Sequence, residues 1–286
     1  MKLRRSARLV DMTRVLLDQP HELISLSYFS ERYQSAKSSI SEDLGIIKSS
    51  FEHEGIGTLK TVAGAAGGVL YIPLVNQQEA STVISDLKET VANSERLLPG
   101  GYLFMTDILG DSRLMKKIGR LYASIFADRK IDVVMTVATK GIPFAYSIAS
   151  FLNVPVVIVR RDTRVTEGST VSINYVSGSQ KRIQTMVLSR RSLKTGSNVL
   201  IVDDFMKAGG TISGMVSLLN EFQAKVAGIG VLIEAQDKEA KLINDYVSLV
   251  KVDEVDETSK QISVTDGNYK EFLTSGESVK HEGDTN

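Results

Sequence analysis

Residues 199–214 read VLIVDDFMKAGGTISG. Val199, Leu200, Ile201 and Val202 are an unbroken apolar run, the pattern of a short strand buried on both faces, and Asp203 and Asp204 stand where that run ends. Lys207, Ala208, Gly209, Gly210 and Thr211 follow as a small-residue loop. Ile212, Met215, Val216 and Leu219 then recur with the period of a helix. Glycines ahead of a helix let backbone N–H groups close on an anion, and the helix N-terminus adds its partial positive charge. The loop is predicted to hold a phosphate.

Two carboxylates repel a bare phosphate unless hydroxyls or a cation stand between them. A ribose 5-phosphate meets both conditions. Its phosphate would lie in the 207–211 loop, its ring hydroxyls would donate to Asp203 and Asp204, and Mg²⁺ nearby would bridge to a diphosphate. Apolar strand, acidic pair, the Phe205–Met206 spacer and a Gly- and Thr-containing loop, in that order, resemble the phosphoribosyl-pyrophosphate (PRPP) motif of type I phosphoribosyltransferases.

Strand and helix patterns alternate on either side of the motif. Tyr102–Thr106 reads as strand, Ser112–Phe126 as helix, Val133–Val137 as strand, Ile142–Phe151 as helix and Val156–Val159 as strand. Leu193–Val202, the Thr211 helix and Val226–Ala235 continue the series, which predicts a parallel α/β sheet. Such sheets bind ligands beyond the carboxyl ends of their strands. Ala138, Thr139, Lys140 and Gly141 lie at one such end, and by themselves read equally well as an ordinary turn. The resemblance implies a pyrophosphate loop there. Between Arg160 and Lys194, Arg160, Arg161, Arg164, Lys181, Arg182, Arg190, Arg191 and Lys194 face only Asp162 and Glu167, and Ser169–Val176 suggests an irregular hairpin. This segment is either a lid, with Arg160 at the diphosphate as the resemblance implies, or a basic surface that extends a DNA footprint.

The first seventy residues form a different pattern. Lys2, Arg4, Arg5, Arg8 and Arg14 stand against Asp11, while Leu9, Met12, Val15 and Leu16 share one helical face. Ser27 is the expected cap of a short helix carrying Phe29 and Tyr33. Ser35, Lys37, Ser38, Ser39 and Ser41 adjoin a further helix with Ile40, Leu44, Ile47 and Phe51 as its stripe. The period then switches to two: Thr58–Val62 and Val69–Ile72 flank a tip of Gly64, Ala65, Ala66, Gly67 and Gly68, a β-hairpin. Helices followed by a hairpin resemble the winged helix-turn-helix of bacterial repressors. Arg4, Arg5, Arg8, Lys37 and Lys60 are the expected phosphate contacts. Ser38 and Ser39 are the expected base readers, with Ser35 and Ser41 beside them. A small helical domain serving dimerisation is the competing reading.

Composition sets the limits. The chain has 286 residues, 42% hydrophobic and 24% charged, with a formal net charge of zero and no cysteine, so disulfides and thiolate metal sites are excluded and DNA binding must come from local patches. His21, His53 and His281 are too scattered for a zinc site. No apolar run spans a bilayer, and MKLRRSARLVDM lacks the apolar core of a signal peptide, so the expected location is the cytoplasm with no membrane partner. Asn76–Glu95 reads as a linking helix. The chain turns acidic from Val252 and is expected to be disordered from about residue 275.

Enzyme and regulator remain to be separated. Purine-salvage phosphoribosyltransferases commonly carry a loop carboxylate near the base, where this chain has Lys207, and no convincing base-recognition segment follows Glu234. A winged helix joined to a phosphoribosyltransferase-like domain, with the segment DDFMKAGGT, resembles the purine operon repressors of Gram-positive bacteria. That resemblance implies a winged helix-turn-helix at 1–74 and a type I phosphoribosyltransferase-like α/β domain at 75–286. It also implies a homodimer that represses purine synthesis genes, has PRPP as inducer with Mg²⁺, and has no catalytic or resident metal residues. An active purine phosphoribosyltransferase is the alternative, and a purine nucleotide such as a guanosine polyphosphate is a second candidate effector at the same site.

Overall fold

In the computed structural model, which describes residues 3–64, 67–162, 165–176, 182–236 and 241–273, the chain divides into two units. One comprises Met1–Val75 with Phe151–Asn153, the other Asn76–Ser150 with Val154–Asn286. Lys2, Ala65, Ala66, Arg164, Lys181 and the expected disordered tail lie outside the described residues.

The first unit runs α1 (Arg5–Asp18), β1 (Ile24–Ser25), α2 (Leu26–Tyr33), α3 (Lys37–His53), β2 (Gly57–Val62) and β3 (Gly68–Pro73). Met12, Val15 and Leu16 of α1, Phe29 and Tyr33 of α2, and Ile40, Leu44, Ile47 and Phe51 of α3 close over Leu59, Val69 and Tyr71 of the hairpin. Each such side chain contributes about 1.5–3 kcal/mol on burial, and a unit this small depends on nearly all of them. The cap of α2 is Ser25, not Ser27: the Ser25 Oγ accepts the Tyr28 N–H at 3.1 Å. Ile24 and Ser25 are drawn into antiparallel pairing with Val69 and Gly68, so the chain turns helical earlier than the serine spacing suggested. The sheet order is β1-β3-β2.

The second unit begins with α4 (Gln77–Ala92), capped by the Asn76 Oδ1, which accepts the Glu79 N–H at 2.8 Å. A two-residue pair, β4 (Leu97–Leu98) with β5 (Tyr102–Leu103), precedes α5 (Thr106–Gly110) and α6 (Ser112–Ile125). The expected strand Tyr102–Thr106 is therefore a small hairpin outside the main sheet. Pro99, Gly100 and Gly101 reverse the chain immediately before it, and Thr106 already starts a helix. The remaining elements are β6 (Val133–Val137), α7 (Gly141–Leu152), β7 (Val156–Val159), β8 (Thr170–Val176), β9 (Ile183–Ser189), β10 (Asn198–Met206), α8 (Gly210–Asn220), β11 (Lys225–Ala235), β12 (Val247–Asp256) and β13 (Gln261–Asp266).

The main sheet has the order β13-β12-β11-β10-β6-β7 and is parallel except for β13. β8 and β9 pair as a separate hairpin, as the basic segment suggested. Two strands, β12 and β13, occupy a stretch in which the sequence shows only a turn to acidic, polar composition from Val252. Val250 and Val252 are buried in β12, while Glu254 and Asp256 lie on its more exposed end. Tyr122 of α6, fully buried, donates its hydroxyl to the Val231 carbonyl at 2.6 Å, which fixes that helix on the sheet.

Candidate functional site

β6 and β10 are neighbours at the point where the crossovers diverge. The chain leaves β6 through α7 toward β7, and leaves β10 through α8 toward β11 on the opposite side. Loops at the carboxyl ends of these two strands consequently border one crevice. Val199↔Val133 and Ile201↔Met135 set the register, and its continuation brings Asp203 level with Val137. A cavity of about 530 Å³ opens there, walled by Lys140, by residues 203–212, by Gly100–Leu103 with Met105, and by residues 252–255 of β12.

β10 does not stop at Val202. Asp203 pairs with Val231 and Phe205 with Ile233, so the aspartates belong to the strand, and they are only 6% and 9% exposed. The Asp203 carboxylate accepts the Asp204 N–H at 3.1 Å. Burial and the neighbouring Asp204 charge push the Asp203 carboxyl well above the usual range. Burial also raises Asp204, against the opposing pull of the Lys140 ammonium. Carboxylates in this setting ionise comfortably only when hydroxyl donors or a cation join them.

The loop after the strand has the geometry of an anion cradle. Gly209 sits at φ 82°, the left-handed region, and α8 starts directly behind it with no side-chain cap. The Ser213 N–H reaches back to the Gly209 carbonyl at 2.9 Å, so the N–H groups ahead of it fall outside the helical ladder. Lys207 is exposed, Thr211 and Phe205 are half-buried, and Met206 and Ala208 are buried.

In the neighbouring loop the Ala138–Thr139 peptide is cis, and the Ala138 N–H donates to the Val159 carbonyl at 2.8 Å. A Cβ on Gly141 would lie 2.1 Å from the Thr136 Oγ1, so only glycine lets the start of α7 approach β6 this closely. Lys140 borders the cavity; Ala138, Thr139 and Gly141 are not among the residues that do. Arg160 is not among them either. Its backbone bridges to Val187 and its guanidinium pairs with Glu167 at 3.3 Å, so a diphosphate contact requires that pair to open. Sequence reasoning missed the positive charge of Arg161 acting on Asp203, and the walls from Gly100–Tyr102 and β12.

In the first unit, Lys37, Ser38 and Ser41 are exposed and Ser39 half-buried on the opening turns of α3; Lys60 is exposed on β2, and Arg4 is exposed at the N-cap of α1. The Arg5 side chain is 55% exposed, with its Nε on Asp43 at 2.9 Å and its Nη2 3.7 Å from Glu42. Arg8 departs from the expectation of an outward phosphate contact. Its Nε donates to Asp43 at 2.6 Å and its Nη1 to the half-buried Ser35 Oγ at 3.0 Å, and Ser35 in turn donates to the Tyr33 carbonyl at 3.2 Å. Arg8 and Ser35 fasten the turn between α2 and α3, because the fully buried Asp43 requires a counter-charge.

The comparisons with known proteins divide at the same place. Residues 4–73 match a family described as bacterial purine repressor, N-terminal, and residues 105–266 match the phosphoribosyl transferase domain. The purine biosynthesis transcriptional repressor PurR of Bacillus subtilis (strain 168) is 64% identical over 273 residues, covering 96% of each chain. The purine biosynthesis transcriptional activator PurR of Lactococcus lactis subsp. lactis (strain IL1403) is 47% identical over 93% of this chain and 98% of its own length. Among solved structures, an adenine phosphoribosyltransferase from Thermoanaerobacter pseudethanolicus superposes with a TM-score of 0.51 at 23% identity, over 58% of this chain and 98% of that one, a likeness of fold. The chain belongs to the bacterial purine repressor family, in which a repressor domain precedes a phosphoribosyltransferase domain.

Proposed function

We propose that this chain is a transcriptional repressor of purine biosynthesis genes that binds operator DNA as a homodimer through its N-terminal unit and is released by PRPP bound in the cavity of the second unit. The observation that carries the reading is the buried Asp203–Asp204 pair facing an uncapped, glycine-opened helix in a chain whose full-length relatives are named as transcriptional regulators. Asp203 and Asp204 take the ribose hydroxyls, the 207–211 loop takes the 5-phosphate, and Lys140, the member of the 138–141 loop that borders the cavity, takes the diphosphate.

Mg²⁺ suits this donor set as a companion of the ligand. No group of three or more His, Cys, Asp or Glu side chains among the described residues forms a metal site, and Mg²⁺ commonly binds through one or two carboxylates together with phosphates. Asp203 or Asp204 would hold it, and it would supply charge neutralisation for the diphosphate. The chain is not an enzyme in this reading: Lys207 stands where salvage enzymes place a carboxylate, and the relatives matched over their whole length are regulators. Operator DNA as the partner points to a cytoplasmic site of action, and among the described residues no helix is long and apolar enough to cross a membrane.

The direction of control is tested by footprinting on DNA upstream of purine biosynthesis genes, combined with transcription in vitro. Protection of a promoter-proximal site with loss of transcript is the expected result. Protection with increased transcript would make the chain an activator, and pyrophosphate release from PRPP with a purine base would restore the enzyme reading.

A further inference from the structure

Beside the phosphate loop lies a polar cluster that the proposed effector contacts do not use. Glu234, at the end of β11 and paired across the sheet with Met206, is 6% exposed. Its Oε2 receives the Lys241 ammonium and the Tyr246 hydroxyl, and its Oε1 receives the Ser248 hydroxyl at 3.0 Å. Lys241 also donates to the Tyr246 hydroxyl at 2.6 Å. Asn268, just past β13, accepts the Ser248 N–H at 2.7 Å and donates to the Tyr246 carbonyl at 2.8 Å.

The segment this cluster holds touches the loop directly. The Leu242 N–H donates to the Ala208 carbonyl at 3.0 Å, and Ile243 lies beside Gly209, where an added Cβ would meet its Cγ1 at an ordinary contact distance of 3.4 Å. Apolar burial anchors the segment weakly, since Leu242 is 60% exposed and Ile243 only partly buried. An ion pair such as this, with Glu234 buried and Lys241 half-buried, is itself a poor source of stability compared with apolar packing, but it fixes geometry. Here the fixed element is residues 241–243, and what rests on them is the backbone of Ala208 and Gly209.

We infer that Lys241, Glu234 and Tyr246 are positioning residues for the effector's 5-phosphate, holding residues 241–243 against the phosphate loop so that its N–H groups converge. They touch no part of the ligand themselves. The inference rests on the proposed PRPP reading of the cavity, and it makes a local claim: the 207–211 loop depends on this fastening, whereas the 138–141 loop on β6 does not.

The test is calorimetric titration of the full chain with two separate probes, ribose 5-phosphate and Mg²⁺–pyrophosphate. In Lys241→Met and Tyr246→Phe, ribose 5-phosphate affinity is expected to fall by about tenfold or more, the loss that follows from one charge-assisted hydrogen bond. Pyrophosphate affinity is expected to stay at the wild-type value, and Lys241→Arg, which keeps both bonds, to retain ribose 5-phosphate. Unchanged ribose 5-phosphate binding in both variants overturns the inference. Parallel loss of both probes also overturns it, because the cluster would then support the unit as a whole. A wild-type chain that binds neither probe removes the PRPP reading and the inference with it, and is distinguished because no substitution is involved.

Discussion

Replacing Asp43 by alanine strikes the centre of the DNA-binding unit, and its two halves differ in cost. The carboxylate is fully buried in α3 and accepts from the Arg5 Nε at 2.9 Å and the Arg8 Nε at 2.6 Å. The Arg5 side chain is 55% exposed, so water replaces the lost partner and the loss there is below about 1 kcal/mol. Arg8 has a side chain only 9% exposed and would be left as a buried charge without its counter-ion, a situation that costs about 3–5 kcal/mol. A unit of this size has in total roughly 4–11 kcal/mol of stability. At about 4–8 °C per kcal/mol, its melting point should fall by more than about 10 °C. Hydrogen exchange of the α1, α2 and α3 amides in the full chain isolates this unit from the other. Protection lost there and kept in β6, β10 and β11 is the expected result. The double variant Arg8→Met with Asp43→Leu, which removes both charges, should recover much of the loss. Wild-type protection in Asp43→Ala would refute the claim that Arg8 is an interior fastener.

Asp203→Ala and Asp204→Ala should each abolish the response to PRPP and leave DNA affinity unchanged, measured as binding isotherms on operator DNA with and without Mg²⁺–PRPP. Because burial raises both carboxyl groups and the ligand favours their ionised forms, PRPP binding should release protons. Effector affinity should therefore strengthen as pH rises through the raised titration of the pair, and a flat calorimetric profile would contradict the assignment. Alanine at Arg4, Lys37 or Lys60 should lower the salt slope of DNA binding by about one each, while Arg8→Met should weaken binding without that signature. Gly141→Ala, whose methyl would meet Thr136, should reduce pyrophosphate affinity and spare ribose 5-phosphate.

Much of this architecture could be read from periodicity. The apolar stripes of α1, α2 and α3, the hairpin of β2 and β3, and the strand–carboxylate–glycine–helix order of 199–214 are all local patterns, and local patterns survive in sequence. What escaped was set by distant partners. Arg8 looked like a surface cation because Asp43, which buries it, is 35 residues away. Asp203 and Asp204 looked like the end of a strand because carboxylates seldom continue one, yet pairing with β11 carries the ladder on to Met206. In β12 the charges of Lys251, Asp253, Glu254 and Asp256 concealed the buried Val247, Leu249, Val250 and Val252. The fastening of residues 241–243 to the phosphate loop joins β11, β12 and the chain after β13, and no spacing in the sequence announces it.

The most direct measurement is fluorescence anisotropy of the full chain on DNA from upstream of a purine biosynthesis gene, titrated with and without saturating Mg²⁺–PRPP at two salt concentrations. The account predicts specific binding that PRPP weakens at both salts, with the Asp204→Ala protein bound equally tightly in either condition. Specific binding that PRPP leaves unchanged would contradict it.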